Sequence, residues 1–473
     1  MEKNPSTEEE ILLKRIEQSD LEKGINPKII LLRQKLAQKA KRQPKFRFYS
    51  LYSLICRKDV LNVAWERVYA NGGSHGIDKV TFEDIIKTNG ATKLIEEIHK
   101  ELINKTYKPR AVRRVCIPKA DGTKRPLGIP TIKDRIVQMA ALLILEPIFE
   151  ADFMECSYGF RPGIQAHKAV KEIENSVKQG YIHVYDADMK RYFDSIPHDK
   201  LMACVRMRVT DKSVLNLIRM WLKAPIVETS KDKGKPPTIT KPTQGTPQGG
   251  VISPLLANLY LHWFDKVFHG KENPVGSSRA RLIRYADDFV VLTRYKSTQL
   301  EEFIRTKLED WMGLTINKEK TKAVKLTEEK TSIDFLGFNM KFAPSKYRKG
   351  DKYFRITPKK KVMERARERI RELTDRRLNL LPIKQVVKQI NGYLLGWKGY
   401  FSIGYPYEAY TDIDYFVGER LIRHLRRRSQ RGYKLGENET WYQHFRKIGV
   451  VRLADKRCEA FKKAVCRKSA RTV

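Results

Sequence analysis

Two short runs rich in apolar residues lie on either side of an Ala-Asp-Asp sequence. Residues 281–285 and 289–292 are rich in Ile, Val, Leu, Tyr and Phe, a composition typical of β-strands. The short link between them predicts a tight hairpin with Asp287 and Asp288 at its tip. Adjacent carboxylates repel one another unless solvent or a cation lies between them. The tip is therefore either a solvated turn or a platform for a hard divalent cation.

Another β-rich run ends at a second pair of carboxylates. Residues 181–185 lead into Asp186 and Asp188, and both aspartates compete for the position at the end of the strand. If this strand and the hairpin belong to one sheet, they deliver carboxylates to the same edge. Three acids at one edge are what a two-metal phosphoryl-transfer site requires. This second segment therefore favours the metal platform over the solvated turn.

Apolar positions repeated every three to four residues predict helices through much of the remaining chain. Thr131 is placed to cap a helix that runs to about Phe149 and has an apolar face. Two strands, 112–118 and 124–129, form a predicted hairpin before that helix. Further helices are predicted at residues 199–224, 253–261, 301–312, 360–375, 383–401 and 413–428.

The charge balance points to a polyanionic partner. The 473 residues include 94 Lys and Arg against 55 Asp and Glu, a formal net charge of +39. An excess of this size in a globular chain favours nucleic acid as the partner. Residues 351–473 hold 31 basic and 13 acidic residues, so 31 minus 13 places +18 of the charge in that region.

Cysteine spacing and hydropathy bear on the compartment. Six cysteines without Cys-x-x-Cys spacing favour free thiols over a disulfide framework or a zinc site. The N-terminus is acidic and polar, and the longest apolar stretch, residues 139–145, is too short to span a bilayer. We therefore expect a cytoplasmic, nucleic-acid-associated protein with no membrane partner.

An ordered series of motifs resembles the group II intron-encoded reverse transcriptase/maturase family. Tyr285-Ala-Asp-Asp288, together with Asp188 and an aromatic residue five positions later, resembles the catalytic core of reverse transcriptases. The other motifs follow the family's order over roughly residues 50–430. They are VRRVCIPK at 112–119, RPLGIP at 125–130, SYGFRPG at 157–163, QGTPQGG at 244–250 and FLGF at 335–338.

The resemblance implies an α/β fold, a right-hand polymerase with fingers and palm followed by a helical thumb/maturase domain. Cys458 and Cys466 alone cannot supply the metal site of a His-Asn-His endonuclease, so we expect the form of the family without that C-terminal domain. The predicted domains are a basic, RNA-contacting extension at 1–75, fingers and palm at 76–350, a thumb/maturase bundle at 351–431 and a small basic DNA-binding region at 432–473.

The resemblance also assigns the metal ligands. The family's spacing of five residues to an aromatic gate selects Asp188 over Asp186, with Phe193 as the gate beside the incoming nucleotide. Asp188, Asp287 and Asp288 are then expected to be the catalytic residues and to hold two Mg²⁺ ions. Packing in the hydrophobic core is the alternative role for Phe193.

Four further residues are predicted to bind the nucleotide. Lys119 and Arg125 flank the turn of the fingers hairpin, where two cations would stabilise the charge of a triphosphate. Arg113 lies in the same hairpin, and Gln248 lies in a glycine-rich loop whose backbone can approach a nucleotide closely. The alternatives are two surface cations for the lysine–arginine pair and a structural turn residue for Gln248.

A basic segment precedes the fingers. Residues 28–47 combine many Lys and Arg with an apolar stripe, and we predict that Lys39, Lys41 and Arg42 contact RNA. The alternative is a solvated helix face.

The function implied by the resemblance is RNA-directed DNA synthesis combined with binding of an intron RNA, promotion of its splicing and target-primed mobility. The expected partners are intron RNA, an RNA template with a DNA primer, target DNA and deoxynucleoside triphosphates. Two alternatives stay open. One is a related reverse transcriptase without its own intron, recruited to host defence or repair, and the other is a mainly RNA-binding splicing cofactor.

Overall fold

The computed structural model divides the chain into two compact units, Met1–Ala323 and Val324–Val473. Within the described ranges no helix is both long and apolar enough to cross a membrane. The bounds of the four functional domains stay predictions. The structure describes residues 6–88, 90–118, 124–228, 236–270, 279–345, 348, 350–428, 431 and 433–454.

Helices form most of the first unit. The longest, α7 (Ile132–Glu150), is apolar around most of its circumference and is almost entirely buried, with α2 and α4 packed against it. As predicted, Thr131 caps it by accepting a hydrogen bond from the backbone of Asp134. The others are α1 (Thr7–Glu22), α2 (Pro27–Arg42), α3 (Tyr52–Ile55), α4 (Lys58–Asn71), α5 (Phe82–Thr88), α6 (Gly90–Ile103), α8 (Ala166–Lys178), α9 (Tyr192–Ser195), α10 (His198–Arg206), α11 (Lys212–Leu222), α12 (Ser253–Phe268) and α13 (Thr298–Arg305).

One predicted helix is wrong in its continuity. Residues 199–224 form α10 and α11, which are separated by a turn that Asp211 stabilises. One oxygen of Asp211 accepts hydrogen bonds from two N–H groups at the start of α11, at 3.0 and 3.3 Å. The other accepts from the backbone N–H groups of Leu51 and Tyr52, both at 2.8 Å. Periodicity could not reveal this break because the anchoring partners lie about 160 residues away.

The fingers sheet contains the predicted hairpin. It has the order β2-β1-β4-β5, where β1 is Val112–Pro118, β2 Lys124–Ile129, β4 Ile226–Glu228 and β5 Thr238–Thr240. β1 and β2 are antiparallel with Arg113 opposite Ile129, whereas β1 and β4 are parallel.

The palm sheet brings the predicted aspartate-bearing strands together. Its order is β6-β7-β3-β8, with β3 at His183–Ala187, β6 at Arg281–Tyr285, β7 at Asp288–Thr293 and β8 at Lys322–Lys325. β7 is antiparallel to both neighbours, and its Phe289 lies opposite Ala187 of β3. The register therefore places the end of β3 beside the hairpin tip, as the sequence analysis expected.

The second unit combines a small sheet with helices. In the sheet, β10 (Phe338–Pro344) lies between β9 (Ile333–Phe335) and β11 (Lys352–Pro358). Phe335 and Phe338 are buried, and Phe338 stacks on Tyr400 with ring centroids 5.8 Å apart. The three helices predicted after residue 359 are confirmed as α14 (Lys360–Leu373), α15 (Ile383–Tyr400) and α16 (Tyr407–Arg426), and α17 (Trp441–Lys447) follows.

A single buried arginine connects the palm hairpin to the helix behind it. Arg284 on β6 has no exposed surface, and its Nε and Nη2 donate to the two carboxylate oxygens of Asp265 on α12 at 2.8 and 2.5 Å. Nη2 also donates to Ser157 Oγ at 2.7 Å. Nη1 donates to Asn258 Oδ1 at 3.0 Å and to the carbonyl oxygen of Ala286 at 2.9 Å. One guanidinium therefore fixes the position of the hairpin tip.

Removing one member of this pair should strongly destabilise the first unit. We expect Arg284→Met or Asp265→Leu alone to lower the free energy of unfolding by about 3–5 kcal/mol, because each leaves an uncompensated buried charge. The double variant should recover part of this loss, since an apolar pair carries no charge to desolvate. Denaturant unfolding of the single and double variants measures both effects.

Arg281→Met is the matched control, because Arg281 lies on the same strand with its side chain 33% exposed. It should change stability little. Equal effects for the two arginine variants would contradict the importance of the buried pair.

Candidate active site

The hairpin tip is a two-residue turn with a left-handed residue. Tyr285 pairs with Asp288, which leaves Ala286 and Asp287 as the turn, and Ala286 has φ of +58°. Gly159 packs directly on this turn, where an added Cβ would overlap the backbone nitrogen of Ala286. The carbonyl oxygen of Gly159 accepts a hydrogen bond from Asn258 Nδ2 at 2.6 Å. The tip is thus supported by backbone that only glycine allows this close.

Asp188 follows β3 and is positioned by the segment near residue 317. Its backbone carbonyl oxygen accepts from the N–H of Asn317 at 2.7 Å, and its Oδ2 accepts from Asn317 Nδ2 at 3.1 Å. Lys320 Nζ lies 3.5 Å from the same Oδ2, and the Asp188 side chain remains 35% exposed. The carboxylate is therefore both oriented by neighbours and open to a ligand.

The pKa of Asp287 depends on its burial and on the charges around it. Burial raises the pKa of the Asp287 carboxyl, and the negative charge of Asp188 raises it further, while the charges of Arg125 and Arg284 lower it. Two carboxylates within electrostatic reach of one another are stabilised by a cation placed between them. Asp288, the next residue, is exposed at the start of β7.

These carboxylates fit a metal that takes part of its coordination from other sources. Among the residues that the structure describes, no group of three or more His, Cys, Asp or Glu side chains is arranged to hold a metal ion by itself. Mg²⁺ is typically held by one or two carboxylates, with waters and substrate phosphates completing its octahedron. Asp188 and Asp287, coupled through their charges, match that donor set.

Two of the predicted nucleotide-binding residues contact each other. Arg125 Nε on β2 donates to Gln248 Oε1 at 3.0 Å, and both side chains are at the surface. The backbone N–H of Gly128 donates to the carbonyl oxygen of Gln248 at 2.6 Å, which holds the glycine-rich loop against the fingers. The positive charge of Arg125 also lowers the pKa of Asp287. The Arg125–Gln248 pair, which we call the fingers pair, therefore lies within electrostatic reach of the palm aspartates.

Phe193 lies between this loop and the palm. It is 6% exposed and belongs to the hydrophobic core of the first unit, and its ring packs edge-on against Tyr192. Its carbonyl oxygen accepts from the N–H of Thr246 at 2.7 Å. Gly245, with φ of +86°, approaches the backbone of Asp194 so closely that a Cβ would not fit. Phe193 therefore packs in the hydrophobic core, as its alternative role requires. A gating role beside the incoming nucleotide stays a prediction.

The structure describes Arg113, the third predicted nucleotide-binding residue of the fingers hairpin. The guanidinium of Arg113 donates to Ser74 Oγ at 2.7 Å and, through Nη2, to the carbonyl oxygen of His75 at 2.7 Å. Arg113 thus binds the loop that precedes α5, and a nucleotide contact for it stays a prediction. Lys119 lies outside the residues that the structure describes.

Two of the predicted RNA-binding cations on α2 form ion pairs with α1, and the third contacts an aromatic ring that follows α2. Lys41 Nζ lies 2.9 Å from Glu8, and Arg42 Nε lies 2.9 Å from Glu9. Lys39 Nζ lies 3.8 Å from the ring centroid of Phe46. All three side chains keep exposed surface, so these contacts leave them accessible to phosphate.

The residues that support the hairpin tip could not be identified from the sequence. Arg284, Asp265 and Asn258 had no assigned role, although a charged residue inside an otherwise apolar strand signals that a buried partner must exist. Arg161, in the SYGFRPG motif, is a buried structural residue whose Nη2 lies 2.7 Å from Glu150.

Comparison with known proteins agrees with this architecture. A family model described as reverse transcriptase (RNA-dependent DNA polymerase) matches residues 117–340, and one described as the group II intron maturase-specific domain matches residues 363–446. Protein YkfC of Escherichia coli is 33% identical over 351 residues, which cover 67% of this chain and 89% of YkfC.

Two further similarities cover less of the other protein. The group II intron-encoded protein LtrA of Lactococcus lactis is 38% identical over 220 residues, 46% of this chain and 35% of LtrA. A telomerase structure from Candida albicans has a TM-score of 0.38 and 13% identity, covering 72% of this chain and 64% of the telomerase chain. With both family models matched in the order polymerase then maturase, the chain belongs to the group II intron-encoded reverse transcriptase/maturase family.

Proposed function

We propose that the protein is an RNA-directed DNA polymerase that also binds an intron RNA, promotes its splicing and supports mobility by target-primed reverse transcription. The observation that carries the polymerase assignment is the register of the palm sheet, which pairs Ala187 of β3 with Phe289 of β7 and so places Asp188 beside the hairpin tip that holds Asp287. The maturase-domain match at residues 363–446 supports the splicing role. Its substrates would be an RNA template, a DNA primer, target DNA and deoxynucleoside triphosphates, in the cytoplasm.

The family generally uses divalent metal ions. We assign Asp188, Asp287 and Asp288 as the residues that would hold two Mg²⁺ ions. Bound there, the ions would activate the primer 3′-hydroxyl and neutralise charge on the departing pyrophosphate. The carboxylates fit this role because the charge of Asp188 raises the cost of ionising Asp287, a cost that cations remove.

The rest of the site would position the reactants. Arg125 and Lys119 would bind the triphosphate, with Gln248 orienting Arg125 through its 3.0 Å hydrogen bond. Asn317 and Lys320 would keep the Asp188 carboxylate pointing toward the site. The chain's own side chains thus supply position and charge, and none acts as a nucleophile.

The metal assignment predicts a large loss of rate without loss of binding. Asp188→Asn or Asp287→Asn should lower primer extension by on the order of 10³ or more, because each removes a charge that would hold the metals. RNA affinity should stay near wild type. Asp186→Asn is the matched control, because Asp186 lies on β3 two residues before Asp188, and it should retain most activity. Near-normal extension by the Asp188 and Asp287 variants would reject the assignment.

Phe193 provides a test of sugar selection. Phe193→Val should admit ribonucleotides, since the aromatic wall that would exclude a 2′-hydroxyl is gone, while DNA synthesis continues at a reduced rate. The ratio of kcat/KM for matched deoxy- and ribonucleotides measures the effect. Phe268→Val, a fully buried aromatic on α12, controls for general loosening of the core. If both variants keep wild-type selectivity, Phe193 is a core residue only.

The N-terminal cations provide a test of RNA binding. Replacing Lys39, Lys41 and Arg42 by Gln should weaken intron-RNA binding and splicing, and should reduce the slope of log affinity against log salt by roughly 0.7–0.9 for each phosphate that is no longer neutralised. Extension of a short preformed primer–template should stay within a few-fold of wild type, because these cations lie outside the aspartate site.

The ion pairs of these cations supply the control. Glu8→Gln with Glu9→Gln breaks the pairs to Lys41 and Arg42 but leaves the cations in place. It should preserve RNA binding. Equal weakening by both sets of substitutions would show that the segment acts through folding of α1 on α2 and not through phosphate binding.

A further inference from the structure

The loop between α14 and α15 of the second unit exposes a leucine side chain to solvent. Leu380 is 96% exposed, the highest value among the exposed large apolar residues of the described chain. The loop is wound into successive turns, with the N–H of Asn379 donating to the carbonyl oxygen of Arg376 at 3.1 Å and that of Leu381 to Leu378 at 3.1 Å. The leucine is thus presented on ordered backbone.

Hydrogen bonds fix this loop to the end of α16. Asn379 Nδ2 donates to the carbonyl oxygen of Arg427 at 3.2 Å, and Arg428 Nη1 donates to the carbonyl oxygen of Leu381 at 2.6 Å. The loop residues on either side of Leu380 are therefore attached to the same arginine-rich helix end. We call residues 376–382 with 420–428 the arginine tip.

Positive charge surrounds the leucine with little compensation. Burial lowers the pKa of Arg420, and repulsion from Arg423, Arg427 and Arg371 lowers it further. Asp375 pairs with Arg377 at 2.9 Å. Among the described residues, no carboxylate ion pair is formed by Arg371, Arg376, Arg423, Arg427 or Arg428. Asp375 is the carboxylate within electrostatic reach of Arg420, and it is already paired with Arg377. Several arginines around one carboxylate indicate an anionic ligand.

We propose that the arginine tip docks on structured RNA, with Leu380 inserted against the shallow minor groove and the arginines on the phosphates at its two sides. The proposal rests on the RNA-binding role proposed above. The A-form minor groove is wide and shallow and displays sugars and base edges, so a convex tip can contact it. Proteins that bind the DNA minor groove combine inserted apolar side chains with cations, and Leu380 among the arginines offers the same combination to RNA.

Separate substitutions distinguish the leucine from the arginines. With a bulged RNA hairpin as probe, Leu380→Ala should weaken binding on the order of tenfold, the effect of leaving one leucine side chain in water, with an unchanged salt slope. Arg376→Gln with Arg427→Gln should instead reduce the slope by roughly 0.7–0.9 for each phosphate left without its arginine. In addition, 2-aminopurine beside the bulge should report a smaller fluorescence change with Leu380→Ala than with the wild-type protein.

Leu21→Ala is the matched control, a 60% exposed leucine on α1, and should leave RNA affinity unchanged. Wild-type melting temperature is expected for Leu380→Ala, because the side chain packs against nothing that its loss would expose. Wild-type affinity for Leu380→Ala would overturn the inference, as would a change confined to oligomeric state. The proposed function would still stand if Asp188→Asn abolished extension and the wild-type chain bound the hairpin.

Discussion

The pairing of Arg284 with Asp265 is the interaction on which the active-site geometry depends. A guanidinium in a core must be paired and fully hydrogen-bonded, since an isolated buried charge is far too costly. Arg284 satisfies this requirement by binding α12, the SYGFRPG segment and the carbonyl oxygen of the hairpin turn at once. The position of Asp287 relative to the rest of the palm therefore follows from the hydrogen bonds that the buried Arg284 guanidinium must form.

The same requirement organises the N-terminal helices. Arg33 is fully buried and donates to Asp20 Oδ2, Glu146 Oε2 and the carbonyl oxygen of Leu143 at 2.5–2.6 Å, which ties α1, α2 and α7 together. The chain has a net charge of +39, and some of its arginines, such as Arg33 and Arg284, form buried ion pairs. Others, such as those of the arginine tip, remain at the surface, where we propose that a polyanion would relieve their mutual repulsion. Burial and pairing, more than position in the sequence, separate structural from nucleic-acid-binding cations.

Two glycines complete the site by allowing backbone segments to approach one another closely. Gly159 lets its segment touch the hairpin turn, and Gly245 lets the loop before Gln248 lie on the backbone of Asp194. These approaches bring the fingers pair Arg125–Gln248 and the palm aspartates into one electrostatic environment. The carboxylates are therefore already in place, and waters and substrate phosphates would complete the coordination of the proposed metal ions.

Alternation, helical period, charge and ordered motifs are local properties of a chain. From them the amino-acid sequence predicts the strands that lead to Asp188 and Asp287, the three helices after residue 359, nucleic acid as the class of partner, and the family. These local properties do not reveal the break at Asp211, the burial of Phe193, the hydrogen bonds of Arg113 with Ser74 and His75, or the support of the hairpin by Arg284. Each of these depends on groups far apart in the chain. Which buried charge meets which partner depends on the packed fold, because a charge removed from water is stable only where the packing supplies an opposite charge and hydrogen bonds.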